Sequence, residues 1–310
     1  MTSMATSTDF GGTGNLVTSD TTFNVVISGN WSSADTTTVS ITTGYTTDAT
    51  HGINISTMGN ARHHGVWSTN HYRIDKSSLT YSSAMLISGI NNIKVDGLQL
   101  KQCNTGNYYI LRADTNATNL IFSNNIFSGT ANVYNPYAIG FQAPYGVIFY
   151  NNIIFGTATQ KGVVFRYVQS ISQVSNNTVY GLNSGMEILD GGTAPILKNN
   201  IAYKNLTDYI GTYNATSTNN LSKDATSPNT AFRNATLSFA DTLNGDFNLI
   251  STDTSAIGNA ISLEATFTTD ITGATRTVPW DIGAFKYIAQ VVTSFGSVLN
   301  DSVWNDTVFK

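Results

Sequence analysis

The sequence predicts an all-β solenoid. Three observations carry that prediction: a recurring Asn-Asn pair, apolar residues at fixed offsets from it, and a composition that favours strands over helices. Asn-Asn pairs stand at Asn124-Asn125, Asn151-Asn152, Asn176-Asn177, Asn199-Asn200 and Asn219-Asn220. The stretch 93–100 fits the same frame, with Gly97 at the first Asn position. Starting at Gly97, successive anchors are spaced by 27, 27, 25, 23 and 20 residues. Periods of this size mark architectures in which each unit stacks on the next. Charged residues make up 11% of the 310-residue chain, against about 25% in an average globular protein. In their place stand Asn, Ser and 44 Thr, which suit strands and turns and are poor helix formers.

The elements follow in order. Residues 1–50 hold 15 of the threonines, with apolar residues alternating in segments such as Phe23-Asn-Val-Val-Ile27. They read as a β arm or cap over the first coil, because the edge strands of a solenoid need cover. Residues 51–222 read as the coils. Two residues before each anchor stand Val95, Phe122, Phe149, Val174, Leu197 and Ser217, and three after stand Leu100, Phe127, Ile154, Val179, Ala202 and Ser222. A period of two before the anchor describes a short strand with one buried face. A bend and a second short strand come next. Another strand recurs upstream of each anchor, at Tyr109-Ile-Leu-Arg112, Ala138-Ile-Gly-Phe-Gln142, Val163-Val-Phe-Arg166 and Met186-Glu-Ile-Leu-Asp190. These units leave no room for a helix. They predict a single-stranded, right-handed parallel β-helix with coils about 4.8 Å apart. Asn suits the bend because it tolerates left-handed backbone and can hydrogen-bond to its counterpart in the next coil. Residues 223–288 read as the second β cap. Residues 289–310 read as an extended tail for docking or assembly, through Val298, Val303, Trp304, Val308 and Phe309.

Several function classes are excluded. No run of 18 apolar residues exists, so no membrane span is expected. The opening residues lack a basic and an apolar stretch, so no secretory signal is expected. Net charge is −4 and basic residues do not cluster, which argues against nucleic acid as a partner. The single cysteine, Cys103, permits no internal disulfide and no thiolate zinc cage, and reads as a small buried side chain. No cofactor is expected.

The coil 93–100 with its Ile-x-Val-Asp-Gly-Leu-x-Leu pattern, the strand-Asn-Asn-strand coils and the segment 59–73 resemble the right-handed parallel β-helix repeat proteins of bacteria and phages, in the pectate-lyase-like superfamily. So do Asn244-Gly-Asp-Phe-Asn-Leu249 and Asp281-Ile-Gly-Ala-Phe-Lys-Tyr287, which look like the closing motif of that family. The resemblance implies the fold. It leaves function open among polysaccharide lyases, glycoside hydrolases, epimerases, phage tail spikes and non-enzymatic virion proteins.

Cleavage of a glycosidic bond needs two carboxylates about 5 to 9 Å apart. The upstream strand ends place Arg112, Gln142, Arg166 and Asp190 nearly in one stack, with a single acid among them. An enzyme would use Arg166, Asp190 and Arg112; an exposed Arg–Asp ion pair is the simpler reading of the same residues. Gln142, Tyr137, Tyr145 and Tyr167 could contact a sugar, since an exposed tyrosine ring can stack on it. His51, His63, His64 and His71 lie within 21 residues, but their spacing matches no zinc motif. His63, His64 and His71 therefore stand as weak metal candidates, in a segment that the resemblance places in the N-terminal capping region, and no metal is expected. The missing acid cluster and the apolar tail point to a structural virion protein, a decoration, fibre or spike subunit. Its expected partners are other virion proteins, copies of itself or cell-surface polysaccharide, and its expected location is the virion. A polysaccharide lyase or hydrolase, or a non-catalytic glycan-binding module, are the alternatives.

Overall fold

Each anchor is a left-handed bend between two short strands. The φ angle is 77° at Gly97, 55° at Asn124, 54° at Asn151, 52° at Asn176, 57° at Asn199 and 54° at Asn219. Gly and Asn enter this region most readily. Gly97 is glycine for a second reason: a Cβ there would fall 2.1 Å from Arg62 Nη1, which is held at 2.7 Å by Asp96 Oδ2.

The computed structural model describes residues 14–42, 44–79, 83–101, 109–114, 116–129 and 137–289. All but two of their strands, the antiparallel pair Phe239–Asp241 and Asp246–Leu249, form three parallel sheets of seven strands each, which is the expected parallel β-helix. The first sheet holds Phe23–Ile27, Ile53–Thr57, Ile93–Asp96, Thr118–Ser123, Tyr145–Tyr150, Gln173–Ser175 and Ile196–Lys198. The second holds Arg73–Asp75, Gln99–Lys101, Ile126–Ser128, Ile153–Phe155, Thr178–Tyr180, Ile201–Tyr203 and Leu221–Ser222. The third holds Val39–Ile41, Met85–Ile87, Leu111–Ala113, Tyr137–Gln142, Lys161–Val168, Ser184–Gly192 and Thr207–Ile210. Helix among the described residues is limited to three single turns.

The core is the space the three sheets enclose. Phe122, Phe149, Leu100, Phe127 and Ile154 all point into it and are essentially inaccessible. Phe141 sits among Phe122, Phe149 and Phe165 at centroid separations of 5.9, 5.7 and 5.4 Å. Edge and tilted contacts of this kind add to simple area burial.

The second Asn of each pair builds an interior ladder. The Nδ2 of Asn125 donates to Oδ1 of Asn152 at 3.0 Å, Asn152 to Asn177 at 3.0 Å, Asn177 to Asn200 at 2.9 Å and Asn200 to Asn220 at 2.9 Å. Each Oδ1 also accepts a backbone N–H from the coil before. These amides are fully buried. Satisfying every polar atom offsets a desolvation cost of about 1–3 kcal/mol per unpaired group. Asn229 ends the ladder: its Oδ1 accepts from Asn220 and its Nδ2 turns to Ser217 O at 2.8 Å.

The two flanking regions differ from a simple pair of end covers. The strands at Phe23–Ile27 and Val39–Ile41 pair in parallel with Ile53–Thr57 and Met85–Ile87, so strand stacking extends upstream of residue 51. After Asn229 the chain does not stay at the end of the rod. It runs back along the side, against the outward face of the second sheet and the first-Asn column. Asn219 Nδ2 donates to Asn259 O at 2.7 Å, Asn199 to Ile261 O at 2.9 Å and Asn151 to Thr269 O at 2.7 Å. Asn176 Nδ2 reaches Asp281 O and Gly283 O at 3.0 and 3.1 Å. Phe247, Ile271 and Phe285 cover Ile126 and Ile153. A buried Arg276 fastens this strap, with Nη2 donating to Asn151 Oδ1, Gly283 O and Ala284 O at 3.0, 2.9 and 3.0 Å. Its far end meets the 59–72 excursion, where a Cβ on Gly65 would fall 2.5 Å from the Phe285 ring. Cys103 and the tail residues Val298, Val303, Trp304, Val308 and Phe309 lie outside the described residues.

Candidate functional site

Strap and excursion leave the outward face of the first sheet open over much of its length. In-register pairing lines up Asn24, Asn54, Lys94, Ile121, Ile148 and Gln173 along it, one residue per coil. Asn54 Nδ2 donates to Asn24 Oδ1, and Asn119 Nδ2 to Asn92 Oδ1, each at 2.9 Å. A shallow groove of about 630 Å³ follows this row. Tyr145 and Ile171, both exposed, stand on one wall, and Thr22, Thr50 and Gly52 stand at its upper end. Lys94 is the one charged side chain among the described residues that line it.

Asp96 is a carboxylate on this face, in an adjoining hollow with Asn54 and Lys94. Burial pushes its carboxyl up, but Arg62, Ser123 and Asn124 outweigh that and hold it below the usual carboxylate range. Its Oδ1 accepts from Ser123 Oγ at 2.7 Å and from Asn124 Nδ2 at 2.6 Å. Asp96 is thus a fastened structural anion.

The polar stripe expected from the sequence is split by register. Gln142 pairs with Arg166, but Arg112 pairs with Gly140, and Arg166 pairs with Leu189. A register shift after Arg166 and a left-handed Asp190, φ 62°, place that acid one residue further on. Arg166 Nε still reaches Asp190 Oδ2 at 2.9 Å, and its Nη2 bonds to the same oxygen. Arg112 instead pairs with Asp114 at 2.7 Å, and Gln142 donates to the Tyr109 hydroxyl at 2.7 Å. The result is two separate, part-exposed ion pairs, an arrangement worth little in stability. Tyr167 is exposed beside Arg166. Tyr137 begins the strand that ends at Gln142. Tyr145 lines the groove.

The histidines do not converge. His63 is buried, accepts Gly65 N–H at Nδ1 (3.0 Å) and donates from Nε2 to Asn124 O (2.9 Å). Burial, with the Arg62 charge beside it, pushes its pKa down to about 3, so the ring is neutral. His64 is exposed and meets His71 edge to face at 5.1 Å, and His71 Nδ1 bonds Asn60 O. Among the described residues no three His, Cys, Asp or Glu side chains are grouped to hold a metal, and no helix is long and apolar enough to cross a membrane.

Sequence reasoning missed the groove because its floor residues share no chemical type. The available signal was the alternation in the first-sheet strands, whose outward positions are the ones left to solvent. The chain matches no protein-family model, no curated protein and no solved structure.

Proposed function

We propose that the chain is a structural subunit of a phage particle, of the decoration, fibre or spike kind, that touches surface polysaccharide through the open groove without cleaving it. The observation that carries the glycan contact is the groove lining: amides, hydroxyls, one tyrosine and isoleucine side chains around a single lysine. Such a lining offers hydrogen bonds and an apolar platform to a sugar. It offers no carboxylate pair, which hydrolysis needs. The row of floor residues repeats at the coil spacing of about 4.8 Å, which suits a polymer lying along the rod. The apolar tail residues Val298, Val303, Trp304, Val308 and Phe309, which suit assembly, support the particle assignment.

The test has two arms. Native mass is measured with and without residues 289–310, together with co-sedimentation with intact particles. Assembly that is lost on truncation supports the subunit reading, and a monomer indifferent to truncation overturns it. A glycan array then reads binding and turnover. Saturable binding that Tyr145→Ala weakens supports the groove. Cleavage that is lost in Arg166→Ala with Asp190→Ala would replace this reading with a depolymerase.

A further inference from the structure

His51 stands at the upper end of the groove between two carboxylates from different segments. Its Nδ1 lies 2.8 Å from Asp48 Oδ1, and its Nε2 lies 2.9 Å from Asp20 Oδ1. A neutral imidazole carries one N–H. Either tautomer therefore donates to one carboxylate and turns a lone pair toward the other. Only the doubly protonated ring donates to both.

Neither carboxylate lines the groove, but each lies in a segment that supplies a lining residue. Asp48 is fixed, because its Oδ1 also accepts from Thr50 N at 2.9 Å, Thr50 Oγ1 at 3.0 Å and His51 N at 2.8 Å. Asp20 sits at a left-handed bend, φ 51°, that closes the turn begun at Asn15. Thr22, just beyond Asp20, and Thr50, just before His51, both line the groove. Thr22 Oγ1 donates to Thr50 O at 2.9 Å, so the two pieces already touch there.

We propose that His51 is a proton-operated clasp that ties the 15–22 segment to the 48–52 turn and firms this end of the groove when the ring is charged. The inference on the groove rests on the glycan reading above; the clasp itself does not. Asp20 and Asp48 are the titratable groups that face the ring. The hydrogen bond to Asp20 raises the imidazole pKa above 6.5, desolvation opposes it, and Asp48 adds to the rise. A folded-state pKa raised above the unfolded one means the contact is complete below pH 6.5. It is lost as pH rises through the raised folded value.

Amide hydrogen exchange on the full chain, corrected for intrinsic rates, tests this at about pH 5.5 and about pH 8.5. Residues 16–22 and 48–52 should be about two- to fivefold better protected at the lower pH, while 147–149 in the core should not differ. His51→Asn, and independently the exposed-site change Asp20→Asn, should remove the difference. Equal protection at both pH values, or a difference that survives both substitutions, overturns the clasp. Glycan-array binding is read at the same two pH values. Binding without pH-dependent protection sinks the clasp and leaves the groove reading standing. PH-dependent protection without any glycan binding upholds the clasp and sinks the groove reading.

Discussion

The first and second sheets are wound from the same coils, yet one keeps a face in water and the other buries both. In the first sheet Ile93 and Val95 are buried, while Lys94 between them is exposed. In the second, Ile153 and Ile154 are neighbours and both buried, Ile154 toward the core and Ile153 toward the strap. The second sheet is thus the middle layer of three, and its strands are apolar at successive positions for that reason. The lesson is that the outward positions of a solenoid face report what covers it. The first sheet keeps its outward positions in solvent, and the second is spent on self-cover.

This contrast can be broken by substitution. Phe285→Ala, under the strap, should cost about 3–5 kcal/mol by denaturant melting, because a fully buried ring is replaced by a cavity. Asn177→Ala, inside the ladder, should cost about 2–3 kcal/mol in the same measurement. It removes the acceptor for both Asn152 N–H donors and the donor to Phe149 O.

Acid should act on the covered side through His63, whose pKa falls from 6.5 in the unfolded chain to about 3 in the fold. Below pH 6.5 the unfolded chain takes up a proton that the folded one does not, so stability falls by about 1.4 kcal/mol per pH unit from this group. A stability-versus-pH series should show a shallower acid limb in His63→Gln. The smallest effect is expected at Tyr145→Ala on the open sheet, within about 0.5 kcal/mol of the parent chain. A larger loss there would mean that the first sheet is also a packed layer.

The sequence made the coils legible because stacking forces equivalent residues to repeat. Val95, Phe122, Phe149, Val174 and Leu197 take the same inward position in successive coils, and all are buried. The left-handed bends at the anchors were legible for the same reason. The path of the strap was not, since Asn259, Ile261 and Thr269 are held through backbone carbonyls that any residue could supply. A signal did exist in Ile153-Ile154-Phe155 and Ile201-Ala-Tyr203, whose unbroken apolar runs required cover on both sides. Asn229 was hidden because it closes the ladder from outside the repeat, nine residues after Asn220. His51 was visible as a histidine, but its partner Asp20 lies 31 residues away and outside any repeat.

The strap sets the order of events during synthesis. Coils stack on neighbours and can form as they leave the ribosome, whereas Arg276 must find Asn151 across 125 residues of chain. Phe285 must return to the neighbourhood of Gly65. Until then the nascent rod shows Ile126, Ile153 and Ile201 to its surroundings, a row of apolar side chains on an otherwise finished structure. Chains arrested after residue 222 should bind a hydrophobic dye and require a chaperone, and released full-length chains should not. If arrested chains stay dye-negative and soluble, something other than the strap shields that row.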